Sequence, residues 1–336
     1  MAPVFIEDTS SADLAYLAIY CQPYATIHPN RLDSRSVPAY ADAPMQWLPV
    51  LCLVTAAVTQ TPHPTTYWRA IAGDKFVVPE GATAAGLTPE LIANLGSADS
   101  ELRDDLSVSI LTSWIYQKKL LAPDDLRPMA RTLEANLRAG IGEAGTDTVL
   151  RRSFSALTLS VIAARDNETP FLSAVEYREL LDAALAYFHD ERDTRGFDAR
   201  TGWMHSAAHT SDLLKFLARN RLLSPADQSR ILAALTAKNR DAASPFTHGE
   251  DERMARVAIS VIRRADFDRD GFRAWLSALQ AAAKFPDPPT VDALRGQQNV
   301  RHLMTALSVE LSVDDRPSDG ADFAKQALRD ALKTLF

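Results

Sequence analysis

From residue 100 onward, apolar residues recur every three to four positions. Short breaks rich in Pro, Gly, Asp or Ser separate the segments. That spacing places apolar side chains on one face of a 3.6-residue helix. It predicts helices over 100–119, 123–138, 148–165, 173–190, 202–219, 224–239, 249–265, 269–285, 290–312 and 318–334. The segment ends agree with this. Segment 100–119 opens with Ser100, carries acids in its first turn and ends in lysines, which suits the helix dipole. Pro123-Asp-Asp opens the next, and Gly140 follows its end. Ser173-Ala-Val-Glu has the form of a capping box. On 148–165, Phe154, Leu157 and Val161 share one face. Helices joined by such short loops pack as antiparallel neighbours. A pair of them takes roughly 40–55 residues, close to a HEAT-type repeat. The expected fold is all-α, an α-α superhelix or HEAT-like helical-hairpin solenoid. No repeated consensus accompanies it, so a closed α/α toroid and an irregular bundle are the alternatives.

Residues 1–66 break the pattern, because Pro23, Pro29, Pro38, Pro44, Pro49, Pro62 and Pro64 interrupt any long helix. The expectation there is coil with one short helix near 11–20. The chain then divides into a leader or poorly ordered segment, 1–65, and an all-α domain, 66–336. Residues 45–68 contain no Asp, Glu, Lys or Arg, and 47–58 is an apolar run of signal-peptide length. A signal peptide at 45–59, with Met45 as the true start, is one reading. The missing basic residue after Met45 favours the other, a packing segment of a cytoplasmic protein.

Composition narrows the class. Hydrophobic residues make up 46% and charged residues 24%, and Gly numbers only 13, as in a helical globular protein. The net charge of −7 gives no sign of the basic face on which nucleic-acid binding rests, so no such partner is expected. Cys21 and Cys52 form no C-x-x-C and no metal-like spacing. No apolar run reaches the ~18–20 residues of a membrane span.

The chemistry concentrates in residues 195–214, RGFDARTGWMHSAAHTSDLL. On a helix, His205, His209 and Asp212 would fall on one face. Two imidazoles four residues apart can bind a divalent metal, and a carboxylate one turn on can ligate or orient. The segment lacks the Glu of H-E-x-x-H, since Ser206 stands there, so a zincin is not expected. A buried hydrogen-bond network between helices is the plainer reading. His248, Glu250, Asp251 and Arg253 open a later helix, where the dipole alone favours acids. His248 reaches the His205 face if the two helices are next-but-one neighbours in one layer. Asp193 and Arg195 read as an ion pair closing a loop, or as an Arg aimed at a carboxylate or phosphate. Arg151, Arg152, Ser153 and Ser155 open another helix, with Ser155 a candidate to line a cleft. Trp203 packs at a helix start or walls a pocket. Gly140-Ile-Gly-Glu-Ala-Gly145 fits G-x-G-x-x-G, but a helix precedes it where a dinucleotide site needs a strand. Its glycines read as a helix cap and loop.

Four stretches carry a family resemblance: 68–107, 145–167 (GTDTVLRRSFSALTLSVIAARDN), 191–218 (ERDTRGFDARTGWMHSAAHTSDLLKFLA) and 246–262 (FTHGEDERMARVAISVI). In order and spacing they resemble the bacterial domain of unknown function 2785 (DUF2785) family, over about 66–336. The Trp-Met-His motif is the most specific part. One departure is Thr210-Ser211 before Asp212, where the family pattern has a small Gly-Ala. The resemblance implies a helical, HEAT-like domain and brings no activity with it. It directs attention to Arg151, Ser153, Ser155, Asp193, Arg195, Trp203, His205, His209, Asp212, His248, Glu250 and Arg253.

Two functions are compatible with these residues. One is a helical-repeat binding module whose concave face, lined by Trp203, His205, His209 and Arg195, holds a small anionic ligand or a peptide. The other is a metal-assisted hydrolase with His205, His209 and His248 as ligands and Glu250 or Asp212 as base or orienter.

Overall fold

The structure, a computed structural model, describes residues 62–335. The expected helix near 11–20, the signal peptide at 45–59 and both cysteines lie outside them. The described chain is all-α apart from one two-stranded hairpin. Its helices are α1 Thr65–Gly73, α2 Ala84–Asn94, α3, α4 Pro123–Asn136, α5 Thr148–Glu168, α6 Ala174–Asp190, α7 Ser206–Arg219, α8 Pro225–Asp241, α9 Glu250–Ile262, α10 Arg269–Ala282, α11 Val291–Val313 and α12 Asp319–Leu332. Helix α3 runs as π-helix over Glu101–Val108, α-helix over Ser109–Thr112 and π-helix again over Ser113–Gln117.

Half of the helices begin where a side chain satisfies one of the first free N–H groups. Ser173 and Ser224 each accept from the backbone of the third residue on, and Glu176 and Asp227 return the bond. Asp268, Thr290 and Ser318 cap α10, α11 and α12 in the same way. Two short helices, α1 and α2, precede the periodic part of the sequence and bury Trp68, Ile71, Leu87, Leu91 and Ile92.

The helices sort into two rows. In one, α5 meets α7 through Ser153–His209 and Asn167–Phe216, and α7 meets α9 through Asp212–Arg253 and Arg219–Ser260. Helix α9 then meets α11 through Arg256–Glu310 and Arg263–Asp314. In the other row, Arg178–Asp227 joins α6 to α8, Trp275–Thr236 joins α8 to α10, and Gln280–Ala331 joins α10 to α12. In the two contacts of each first-row pair, residue numbers rise together on both partners, so those helices run parallel. Helix α7 lies deepest, with Ser206 to Ala218 all buried.

The sequence expectation fails at one place that matters for the site. A helix was expected over 202–219, but α7 begins at Ser206. Phe197–Asp198 (β1) and Gly202–Trp203 (β2) form an antiparallel hairpin, with Phe197 opposite Trp203. Asp198 shapes its turn by accepting from the backbone of Arg200 and Thr201. Gly202, at φ +76°, takes a backbone shape that favours glycine.

Candidate functional site

Because α5, α7 and α9 are parallel, their N-terminal ends meet at one edge of the row, under the β1–β2 hairpin. His205 is not on the face of α7. It is the residue before the helix, in the left-handed conformation at φ 48°. Few non-glycine residues adopt this shape, which costs of order 1–3 kcal/mol. Two bonds set it there: the Met204 and His205 N–H groups donate back to the carbonyls of Gly196 and Arg195. The one-face argument that grouped His205 with His209 and Asp212 therefore does not hold, although tertiary packing still brings the two rings within 5.8 Å.

Hydrogen bonds fix both imidazoles. The Ser153 hydroxyl donates to the Met204 carbonyl. With its one hydrogen used, Ser153 accepts from His209 Nδ1 at 2.8 Å. His209 is thus the Nδ1–H tautomer. The bond also runs opposite to the one that would activate a serine nucleophile. His205 Nε2 donates to the His248 carbonyl at 3.0 Å and lies 3.7 Å from Glu250 Oε1. Burial, aided by the Arg253 charge, pushes His205 down to about 3. Burial, with His205 and Arg253 nearby, holds His209 well below the usual histidine range. Both rings are neutral, and each keeps one nitrogen lone pair.

The charged residues of the cluster are matched to one another. Arg253 meets Asp212, and Lys215 Nζ lies 3.3 Å from Asp212 Oδ1. Glu250 accepts from the His248 N–H at 2.8 Å, just before its own helix, and burial raises its pKa. Arg195 grips Asp193 through Nε at 2.9 Å and Nη2 at 2.5 Å, and also donates to the Thr146 carbonyl. The Asp193–Arg195 pair therefore closes a loop. Asp193 also accepts from the Gly145 N–H. That bond pins the 140–145 loop, whose three glycines all have positive φ.

Above this base lies an aromatic platform. Trp203 stacks on His205 with ring centroids 4.3 Å apart, and Phe197 and His248 stand edge-on to Trp203 at 5.0 and 5.8 Å. Phe197 and His248 are exposed and Trp203 is half-buried. Gly196 permits the arrangement, because a Cβ there would stand 2.4 Å from His248 Nδ1.

Two of the expected residues lie elsewhere. Arg151 is exposed and runs past Gly96, and Ser155 accepts from Asn136 of α4. The buried arginine of that motif is Arg152. It holds Glu191 through Nε at 2.6 Å and Nη2 at 3.1 Å and donates to the carbonyls of Ala139 and Gly140. Arg103 of α3 was also missed. It is fully buried, donates to the Thr201 carbonyl at 2.6 Å and lies 4.7 Å over the Phe154 ring. Arg103 anchors the hairpin from below. Its only sequence signal was an arginine between apolar positions of a predicted helix.

Among the described residues, no group of three or more His, Cys, Asp or Glu side chains is placed to hold a metal ion. Nor is any described helix long and apolar enough to cross a membrane. No curated protein and no solved structure matches the chain. The family model described as "Protein of unknown function (DUF2785)" matches residues 137–309, just over half of the chain. The match takes in the Arg152, Trp203-Met-His and His248 motifs and leaves out the 68–107 stretch. The chain belongs to the DUF2785 family.

Proposed function

We propose that the protein is a HEAT-like helical-repeat binding module. Its ligand sits on the platform of Phe197, Trp203 and His248, at the N-terminal edge of α5, α7 and α9. The two rows of helices, with parallel partners in the first, support the repeat reading. The observation that carries the function is a division of labour. The buried ion pairs beneath are taken up by one another and hold the platform rigid. The exposed rings above offer flat surface, and among the described residues the Trp203 indole N–H has no acceptor. Three helix N-termini converge below and favour negative charge. A small anion with a planar part, or a short acidic peptide with an aromatic side chain, fits this chemistry.

The test is a binding screen of carboxylate and phosphate metabolites and short acidic peptides by ligand-observed NMR. It would use wild type beside Trp203→Ala and His248→Ala. Hits should vanish in both variants while the fold is kept. Hits that survive in both would remove the platform from the function.

The metal-assisted hydrolase is the second reading. It is favoured by two neutral imidazoles, His205 and His209, that each keep an unprotonated nitrogen. Protein purified without a metal column should then carry about one equivalent of a divalent metal. A folded His205→Ala/His209→Ala variant should lose it. No metal in wild type, even after adding zinc, manganese or iron, would end this reading.

A further inference from the structure

A second site lies in the neighbouring row, at the C-terminal ends of α6 and α8. The C-terminal end of α8 and the 191–194 segment after α6 enclose a cavity of about 370 Å³. Lys238 of α8 and Arg192 both line it. The size suits a small metabolite. Lys238 is buried, donates to the Glu191 carbonyl at 3.0 Å and lies 5.2 Å over the Phe188 ring. The nearest carboxylates are engaged elsewhere: Glu191 is held by Arg152 and Asp241 by Arg240. His189 at the rim pairs with Asp190. Lys238 thus forms no ion pair among the described residues, and neither does Arg192.

A buried amine with no counter-ion, beside an exposed guanidinium, is a combination that structure alone does not require. An ion pair or an apolar residue would serve packing better. We propose that the cavity binds a small 2-oxo acid, with Lys238 forming a reversible imine at its carbonyl carbon and Arg192 holding its carboxylate. The unprotonated Nζ attacks the carbonyl carbon and forms the C–N bond. The carbonyl oxygen leaves as water, taking up the two amine protons, and no oxidant or reductant takes part. Burial brings Lys238 down to about 8. Arg192 pushes in the same direction, against the opposing charges of Glu191, Asp190 and Asp241. At pH 7 about a tenth of the amine is then unprotonated, against less than about a thousandth for an ordinary lysine. This proposal is independent of the Trp203 platform.

The experiment incubates the full chain with pyruvate and sodium cyanoborohydride and maps the reduced adduct by peptide mass spectrometry. Adduct should form first at Lys238, at a rate that rises with pH and levels off above about 8. Lys238→Arg should abolish it. Arg192→Ala, at an exposed position, should slow labelling by pyruvate severalfold and leave labelling by neutral acetaldehyde unchanged. That variant keeps the test valid if Lys238→Arg does not fold. Adduct spread evenly over the exposed lysines would overturn the imine. Equal loss with pyruvate and acetaldehyde, or no loss with either, would overturn the carboxylate class.

Discussion

The edge under the hairpin and the Lys238 cavity are both built from charged residues at helix ends, yet they use them in opposite ways. Under the hairpin, Asp193 has Arg195, Asp212 has Arg253, Glu191 has Arg152, and the Glu250 carboxylate accepts from the His248 N–H. In the cavity, Lys238 has a carbonyl and an aromatic ring but no carboxylate. The same Glu191 serves both regions: its side chain completes one and its backbone oxygen touches the other. The difference shows that a dense polar motif is a poor guide to reactivity. Buried polar groups must be paired, and pairing consumes the chemistry they could do. Lys238, buried without a counter-ion, lies in a stretch, residues 225–241, with no motif at all.

Mutation can separate the two regions. The largest effect is expected at Arg152→Ala, which strands the buried Glu191 carboxylate and the carbonyls of Ala139 and Gly140. Removing one partner of a buried pair costs about 3–5 kcal/mol. Urea unfolding would show it as a lower midpoint at an unchanged slope. A loss under about 1 kcal/mol would mean that the base under the hairpin is not held by this pair.

The next effect depends on pH. His209 is neutral in the folded state with a pKa well below the usual histidine range, so between that value and about 6.5 the unfolded chain binds more protons. Its contribution is fully present above pH 6.5 and is lost as pH falls, by about 1.4 kcal/mol per pH unit. Wild type should therefore lose stability relative to His209→Phe between pH 7 and pH 5. Two parallel stability curves would remove the neutral, buried state of this ring. His205 behaves in the same sense over the window from 6.5 to about 3.

Gly196→Ala comes third. The new methyl collides with His248, a flexible exposed side chain, so the cost should be about 1 kcal/mol. The near-ultraviolet circular dichroism of the stacked Trp203 should change more than stability does. An unchanged spectrum would show that His248 does not shape the platform.

The smallest effect is expected at Lys238→Met. Replacing a buried ammonium without a counter-ion by an apolar chain of similar length should leave stability within about 1 kcal/mol of wild type, or raise it. A large loss would make Lys238 a structural residue like Arg152 and erase the contrast between the regions.

The helices from 123 onward were legible because their signals are local. A cap and an apolar stripe act within one or two turns, so Ser173, Ser224, Thr290 and Ser318 mark their starts without reference to the rest of the chain. The same local reading carried α7 too far back, through Gly202 and Trp203. Pairing with Phe197 and Asp198 overrode helix propensity there. It also misjudged 151–155. Arg151 and Arg152 are adjacent in sequence, but about 100° of helix rotation separates a solvated side chain from a fully buried one.

By itself, then, the sequence determined an all-α chain, most of its helix boundaries, the loop character of 140–145 and the family. Each of these follows from contacts a few residues apart or from motif order. Only the tertiary structure decided that His205 stands outside its helix and that Arg152 and Arg103 are buried. It also decided that Lys238 lines a cavity whose carboxylates are paired elsewhere. The first depends on a hairpin closed about ten residues back, and the others on partners about 40 to 100 residues away. Burial and charge pairing are properties of what surrounds a side chain, and those surroundings exist only once the helices have packed.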